Sequence, residues 1–150
     1  MKILVSACLL GANCRYDGKG QTNPKILALA EQHELVPVCP EQMGGLPTPR
    51  PPAEIREKRC INRLGQDVTE AFERGAQQAV YLAKALGCQA AILKSRSPSC
   101  GLGQIYDGSF SGQLIPGNGF CAQALKAAGL EVYSDEQLLL FNEKKDAFRS

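Results

Sequence analysis

Short apolar runs alternate with amphipathic stretches from one end of the chain to the other. Residues 2–5 (Lys-Ile-Leu-Val), 35–38 (Leu-Val-Pro-Val), 89–93 (Gln-Ala-Ala-Ile-Leu) and 130–133 (Leu-Glu-Val-Tyr) form strand-length runs, and the segments between them carry apolar residues at helical spacing. Asn23-Pro24 opens the first of these, with Asn as cap and Pro at the first helical position, ahead of Ile26, Leu27 and Ala30. Asp67 with Glu70 reads as a capping-box variant. Behind it Val68, Phe72, Ala79, Leu82, Ala83 and Leu86 form one stripe, closed by Gly87. A further helix spans about 120–128 and stops at Gly129. Ser134 and Gln137 start a last one through about Phe141, and the charged tail from about residue 143 is expected to fray. Strands alternating with helices predict one α/β domain over 1–150, Rossmann-like and three-layered, with a mostly parallel sheet of about four to five strands and right-handed crossovers.

Three stretches resist that pattern. Gly44-Gly45-Leu46-Pro47-Thr48-Pro49-Arg50-Pro51-Pro52 can be neither helix nor central strand. Residues 55–63 are ambiguous and read best as a short edge strand with Ile55 and Ile61. The run from Lys94 to about Gly119 reads as a loop rich in Ser and Gly. Long irregular segments inside a compact domain are usually functional or mobile.

Composition narrows the chemistry. A chain of 150 residues buries a core without disulfide staples, and seven cysteines is an odd number. The opening run is strand-length rather than the apolar core of a signal peptide, so a reducing cytoplasm is the expected location. No apolar stretch approaches the ~20 residues that cross a bilayer. Lys and Arg number 17 against 15 Asp and Glu, too even a balance to announce nucleic-acid binding. His33 is the sole histidine; this excludes zinc sites built on two or three histidines and leaves little room for a Ser-His-Asp or Cys-His engine. It reads as a helix C-terminal residue without a catalytic role.

Cys8, Cys39 and Cys100 each follow an apolar run. If the runs are neighbouring parallel strands, three thiols from distant parts of the chain meet at the sheet edge where open α/β sheets place their ligands. Taken singly, each cysteine is better explained as a small buried hydrophobe; their shared position tilts the reading towards a metal-cluster or thiol-based site. Cys14 is a fourth candidate ligand, while Cys60, Cys88 and Cys121 read as structural. No C-x-x-C occurs, so neither zinc-ribbon nor thioredoxin spacing applies. In Cys39-Pro40-Glu41 the stiff proline would aim a carboxylate at whatever the thiolate holds, a general acid or base if water is scarce and a solvated loop residue otherwise. Lys94-Ser95-Arg96-Ser97-Pro98-Ser99-Cys100-Gly101 sets two cations and three hydroxyls around a cysteine, suited to a small polar ring or an anion. Arg15, Tyr16 and Arg50 are turn-region residues available as ligand contacts.

Five ordered motifs carry a resemblance. They are Ser6-Ala7-Cys8-Leu9-Leu10-Gly11; Arg15-Tyr16-Asp17-Gly18; Cys39-Pro40-Glu41 with Gly44-Gly45-Leu46 and Pro49-Arg50; Asp67-Val68-Thr69; and Ser97-Pro98-Ser99-Cys100-Gly101. In these the chain resembles the bacterial thiouracil desulfidase family, formerly a domain of unknown function, over essentially its whole length. The resemblance implies a 4Fe-4S cluster held by Cys8, Cys39 and Cys100 with one iron free of protein ligands, a centre that aerobic purification can strip. It implies Glu41 as acid/base, Ser97 as substrate-contacting, and non-redox replacement of the sulfur of a thiolated pyrimidine by water. Ser99, Arg15, Tyr16 and Arg50 are expected to bind substrate. Three other readings stand beside it: a closed four-cysteine zinc or iron-sulfur protein that includes Cys14, a metal-free thiol-transfer enzyme using Cys100, and a nucleotide-binding module by fold analogy. With a net charge of +2 and no second module, a small thiolated base is expected in preference to tRNA.

Overall fold

A computed structural model describes residues 1–147. In chain order the strands are β1 (Lys2–Ser6), β2 (Glu34–Val38), β3 (Ala53–Arg56), β4 (Arg59–Asn62), β5 (Ala90–Leu93), β6 (Gln104–Tyr106), β7 (Leu114–Pro116) and β8 (Glu131–Ser134). The helices are α1 (Pro24–Leu27), α2 (Pro40–Met43), α3 (Thr69–Leu86), α4 (Phe120–Ala127) and α5 (Leu138–Ala147). Four strands form a parallel sheet in the order β2-β1-β5-β8. The four apolar runs of the sequence supply those four strands. The strand order reverses at β1, which has β2 on one side and β5 on the other, and such a switch point opens a crevice at the C-terminal edge of the sheet.

Alternation along the central strands separates two apolar layers. Ile3 and Val5 of β1 pack with Ile26, Ala90, Ile92, Tyr133 and Phe141 on one face of the sheet. Leu4 turns to the other, with Ala76, Ala79 and Ala83 of α3 and Ala122 and Leu125 of α4. Residues 3–5 are wholly buried, as expected of a parallel strand covered on both faces. Asn23 caps α1 by accepting from the amides of Lys25 and Ile26. Ser134 and Gln137 make the reciprocal capping box.

Helix α2 rests directly on α3 at two glycines. A Cβ on Gly75 would lie 1.8 Å from the Pro40 carbonyl oxygen, and one on Gly44 would lie 1.9 Å from that of Ala71. Only hydrogen fits at either place. This contact fixes where Cys39-Pro40-Glu41 stands relative to the sheet.

Several local expectations are corrected. Residues 53–62 form a two-stranded antiparallel hairpin, β3–β4, and the loop after β5 contains a second, β6–β7. Pro40 begins a turn of helix instead of continuing an irregular loop. Asp67 lies one residue further out than a cap at the assigned boundary, yet its carboxylate still accepts from the Thr69 amide. The last helix, expected to end at about Phe141, runs to Ala147, and residues 148–150 of the tail expected to fray lie outside the described residues. His33 is buried beneath that helix, edge-on to Phe141 at 6.0 Å between ring centroids.

Candidate active site

The three cysteines come from three adjacent strand ends. Cys8 sits in a 3-10 turn, Ala7–Leu10, that follows β1 without a break; Cys39 lies between β2 and α2; Cys100 ends the loop that leaves β5. Each strand end is tied down by its own hydrogen bonds. The Cys8 carbonyl accepts from Gln21 at 2.8 Å, and the Ser6 hydroxyl accepts from the Lys94 amide at 2.9 Å, joining the ends of β1 and β5.

The loop bearing Cys100 is held from inside and from behind. Ser97 Oγ accepts from the amides of Ser99 (3.1 Å) and Cys100 (3.0 Å). The Pro98 and Ser99 carbonyls accept from Phe120, Cys121 and Ala122, which donate from the first turn of α4. That approach requires Gly119, where a Cβ would meet the Ser99 carbonyl carbon at 2.5 Å. The Ser-rich string therefore builds a rigid cradle in which Cys100 is 4% exposed.

Glu41 faces this loop from α2. Its Oε2 accepts from the Ser99 hydroxyl at 3.0 Å, and its Oε1 accepts from Arg50 Nε at 3.1 Å. Arg50 is buried and also donates to the carbonyls of Pro47 and Cys14 and to Thr48 Oγ1, which engages four of its donors within the protein. One guanidinium thus joins the Glu41 carboxylate to the backbone of Cys14. Ser97 Oγ is 3.0 Å from Ser99 Oγ, so the chain Ser97, Ser99, Glu41, Arg50 is continuous. Arg15 donates to Gln21 and lies over the ring of the exposed Tyr16, on the approach to the site.

The sulfurs also interact. Cys39 Sγ lies 3.6 Å from the Cys14 carbonyl oxygen. A thiol hydrogen bond from Cys14 lowers the pKa of Cys8 against the opposing effect of burial. The bond between Cys39 and Cys14, with burial, pushes Cys39 far above the ordinary thiol range. Burial pushes Cys100 up to about 11, relieved in part by hydrogen bonds from Ser6 and Ser99. Cys14 thus stands between Cys8 and Cys39. All seven cysteines are free thiols; Cys60 and Cys121 are fully buried, and Cys121 packs in the same apolar cluster as Cys100.

These side chains line one cavity of about 530 Å³. Its inner wall is Cys8, Cys14, Cys39, Cys100, Glu41 and the 94–99 loop; its outer wall is drawn from the two hairpins through Glu54, Arg63, Tyr106 and Phe110. Sequence reasoning brought the inner set together and missed the outer one, whose members belong to no motif. Among the described residues no group of three or more His, Cys, Asp or Glu could hold a metal ion. A lone zinc draws its thiolates to about 2.3 Å from one point. Thiolates are also the ligands of iron-sulfur clusters, and the three delivered here from adjacent strand ends to one cavity fit such a group.

A parallel α/β fold whose adjacent strand ends deliver thiols and a paired carboxylate to one crevice has the layout of an enzyme site. The profile of the 2-thiouracil desulfurase family matches residues 3–137, and the chain belongs to that family. It is 43% identical over 146 residues to the uncharacterized protein YbbK of Bacillus subtilis (strain 168), covering 91% of this chain and 97% of that one. Its fold matches the solved structure of the 4Fe-4S-dependent thiouracil desulfidase TudS with a TM-score of 0.91 and 42% identity, over 97% of this chain and 98% of the other. No helix of the described residues is long and apolar enough to cross a membrane.

Proposed function

We propose that this protein hydrolyses the C–S bond of a small thiolated pyrimidine, thiouracil to uracil and hydrosulfide, with a 4Fe-4S cluster held by Cys8, Cys39 and Cys100. The observation that carries the reading is the convergence of those three thiols and the Glu41–Ser99 pair on one cavity. Three protein thiolates leave one of four irons without a protein ligand, provided Cys14 keeps to its bonds with Cys8 and Cys39. When bound, such a cluster supplies a Lewis-acidic iron for the departing sulfur.

The chain's own groups do the rest. Arg50 and Ser99 each hold one oxygen of Glu41, so the carboxylate is oriented before substrate enters. From there Glu41 takes the proton of an attacking water and returns it to the ring nitrogen or the leaving sulfur. Ser97 keeps Ser99 and Cys100 in register through their amides and places its hydroxyl beside the same pair. Water oxygen replaces sulfur at a carbon whose oxidation state does not change, so the reaction needs no electron donor. A cavity of about 530 Å³ is of the size that takes small molecules, which favours a free base over tRNA. Seven free thiols suit a reducing cytoplasm.

A metal-free Cys100 nucleophile is the weaker alternative. Its thiol is pushed up to about 11, and the sole histidine, His33, is not among the residues lining the cavity. The test is anaerobic purification with iron, sulfide and zinc analysis, then assay of uracil and hydrosulfide from thiouracil, with 4-thiouridine-containing tRNA in parallel. Four irons per chain and turnover of the free base are expected. Stoichiometric zinc, or a cluster-loaded protein inert towards every thiolated pyrimidine, would overturn the reading.

A further inference from the structure

The outer wall of the cavity is built round one aromatic ring. Phe110 lies in the loop between β6 and β7 with φ of 56°, in the left-handed region that non-glycine residues seldom occupy. It is held there from the other hairpin. Glu54 Oε1 on β3 accepts from the amides of Gly108 (3.0 Å) and Phe110 (3.1 Å), and Arg56 donates to the Gly108 carbonyl at 2.7 Å. The guanidinium of Arg63 lies over the Phe110 ring, 5.5 Å from its centroid. The ring remains half-buried, and Glu54, Arg63 and Phe110 all line the cavity that contains Glu41 and the cysteines.

Three features thus converge on a residue that the fold of the sheet does not need. A strained backbone at a cavity wall is kept only where its surroundings enforce it, and here a carboxylate on a separate hairpin does so. An aromatic face with a guanidinium on it, opposite a polar acid/base pair, is the arrangement that receives a planar heterocycle by stacking.

We propose that Phe110 determines substrate specificity by stacking on the pyrimidine ring, with Arg63 covering its other side and Glu54 acting as the positioning residue that holds it in place. This rests on the reading of the site as a pyrimidine desulfidase. The inner wall then handles the carbon bearing sulfur, while the outer wall selects a flat ring.

The experiment is steady-state kinetics on cluster-loaded protein, with iron content measured for every variant. Phe110→Ala should raise KM for thiouracil about tenfold, the scale of base–aromatic stacking, and leave kcat within about twofold. Phe110→Tyr should restore KM, whereas Phe110→Leu, apolar but without a π face, should not. Glu54→Ala should raise KM in the same way with iron content unchanged. The chain has no tryptophan, so Phe110→Trp places one reporter at the site, and its fluorescence should be quenched saturably by thiouracil. Wild-type KM in Phe110→Ala, or full restoration by Leu, would overturn the proposal. Wild-type protein loaded with cluster but inactive on thiouracil would instead sink the desulfidase reading, and fluorescence that thiouracil leaves unchanged in Phe110→Trp would separately sink the stacking role.

Discussion

The two walls of the cavity are made in different ways. The inner wall grows from the sheet: each cysteine follows a strand whose position is set by buried neighbours, and the intervening loops are fixed by backbone bonds to α4 and by glycines that admit no side chain. The outer wall consists of two small hairpins held to one another by Glu54 and Arg56. Rigid elements place catalytic groups to within fractions of an ångström, and peripheral loops vary without disturbing them. Changes to the inner wall should therefore abolish chemistry, and changes to the outer wall should alter which molecule is accepted.

The largest effect that would break this contrast is at the thiols. Cys8→Ala, Cys39→Ala and Cys100→Ala should each abolish the iron-sulfur chromophore and all turnover, whereas Cys60→Ala and Cys121→Ala should keep the chromophore. Visible absorbance and iron analysis decide it. Cys14→Ala should keep the chromophore as well, because Cys14 stands between two proposed ligands, Cys8 and Cys39, as a hydrogen-bond partner. Its loss on that change would make Cys14 a fourth ligand and close the site.

Glu41→Gln comes next. The amide keeps the shape that Arg50 and Ser99 recognise but cannot exchange a proton, so turnover should fall by about 10²–10⁴ with cluster content unchanged. Near-normal turnover by the loaded variant would reduce Glu41 to a loop-holding residue and leave the inner wall without an acid/base.

Gly75→Ala tests whether the inner wall depends on the helix contact behind it. Its Cβ would meet the Pro40 carbonyl, and relief by backbone movement should cost about 1–3 kcal/mol of stability, with Glu41 displaced as a consequence. A denaturant midpoint equal to that of the parent would show that α2 moves freely on α3.

How much of this was legible in the sequence divides along the same line. Cys8, Cys39 and Cys100 declared themselves because apolar runs of strand length precede them, and buried parallel strands need such runs. Glu41 was legible through its neighbour Cys39, although the helical turn that Pro40 starts was not. The hairpins left little trace. The β3–β4 turn places Glu57 and Lys58 at φ of 50° and 67°, in a hairpin of the kind that Asn-Gly or Asp-Gly would announce. Strands β6 and β7 have three residues each, too short for alternation to register. Phe110, Glu54 and Arg63 meet only through that tertiary pairing, so no spacing rule connects them.

The smallest effect concerns the joint between the walls. Asp67 accepts from the Thr69 amide at the start of α3 and from Arg59 Nε on β4, both at 2.9 Å. Its hydrogen bonds with Thr69, then the Arg59 guanidinium, lower its carboxyl from 3.8 to about 2. A folded-state pKa below the unfolded value contributes stability that is present above the unfolded value and is lost as pH falls towards the folded one. For Asp67 that window runs from 3.8 down to about 2. The group is exposed to solvent, so screening keeps the gain small. Asp67→Ala should lower Tm slightly at neutral pH, with the difference from the parent narrowing across that window. Carboxyl NMR titration gives the direct reading: an Asp67 midpoint near 3.8 would show that hairpin and helix are joined by the Cys60–Thr69 and Cys60–Val68 hydrogen bonds alone.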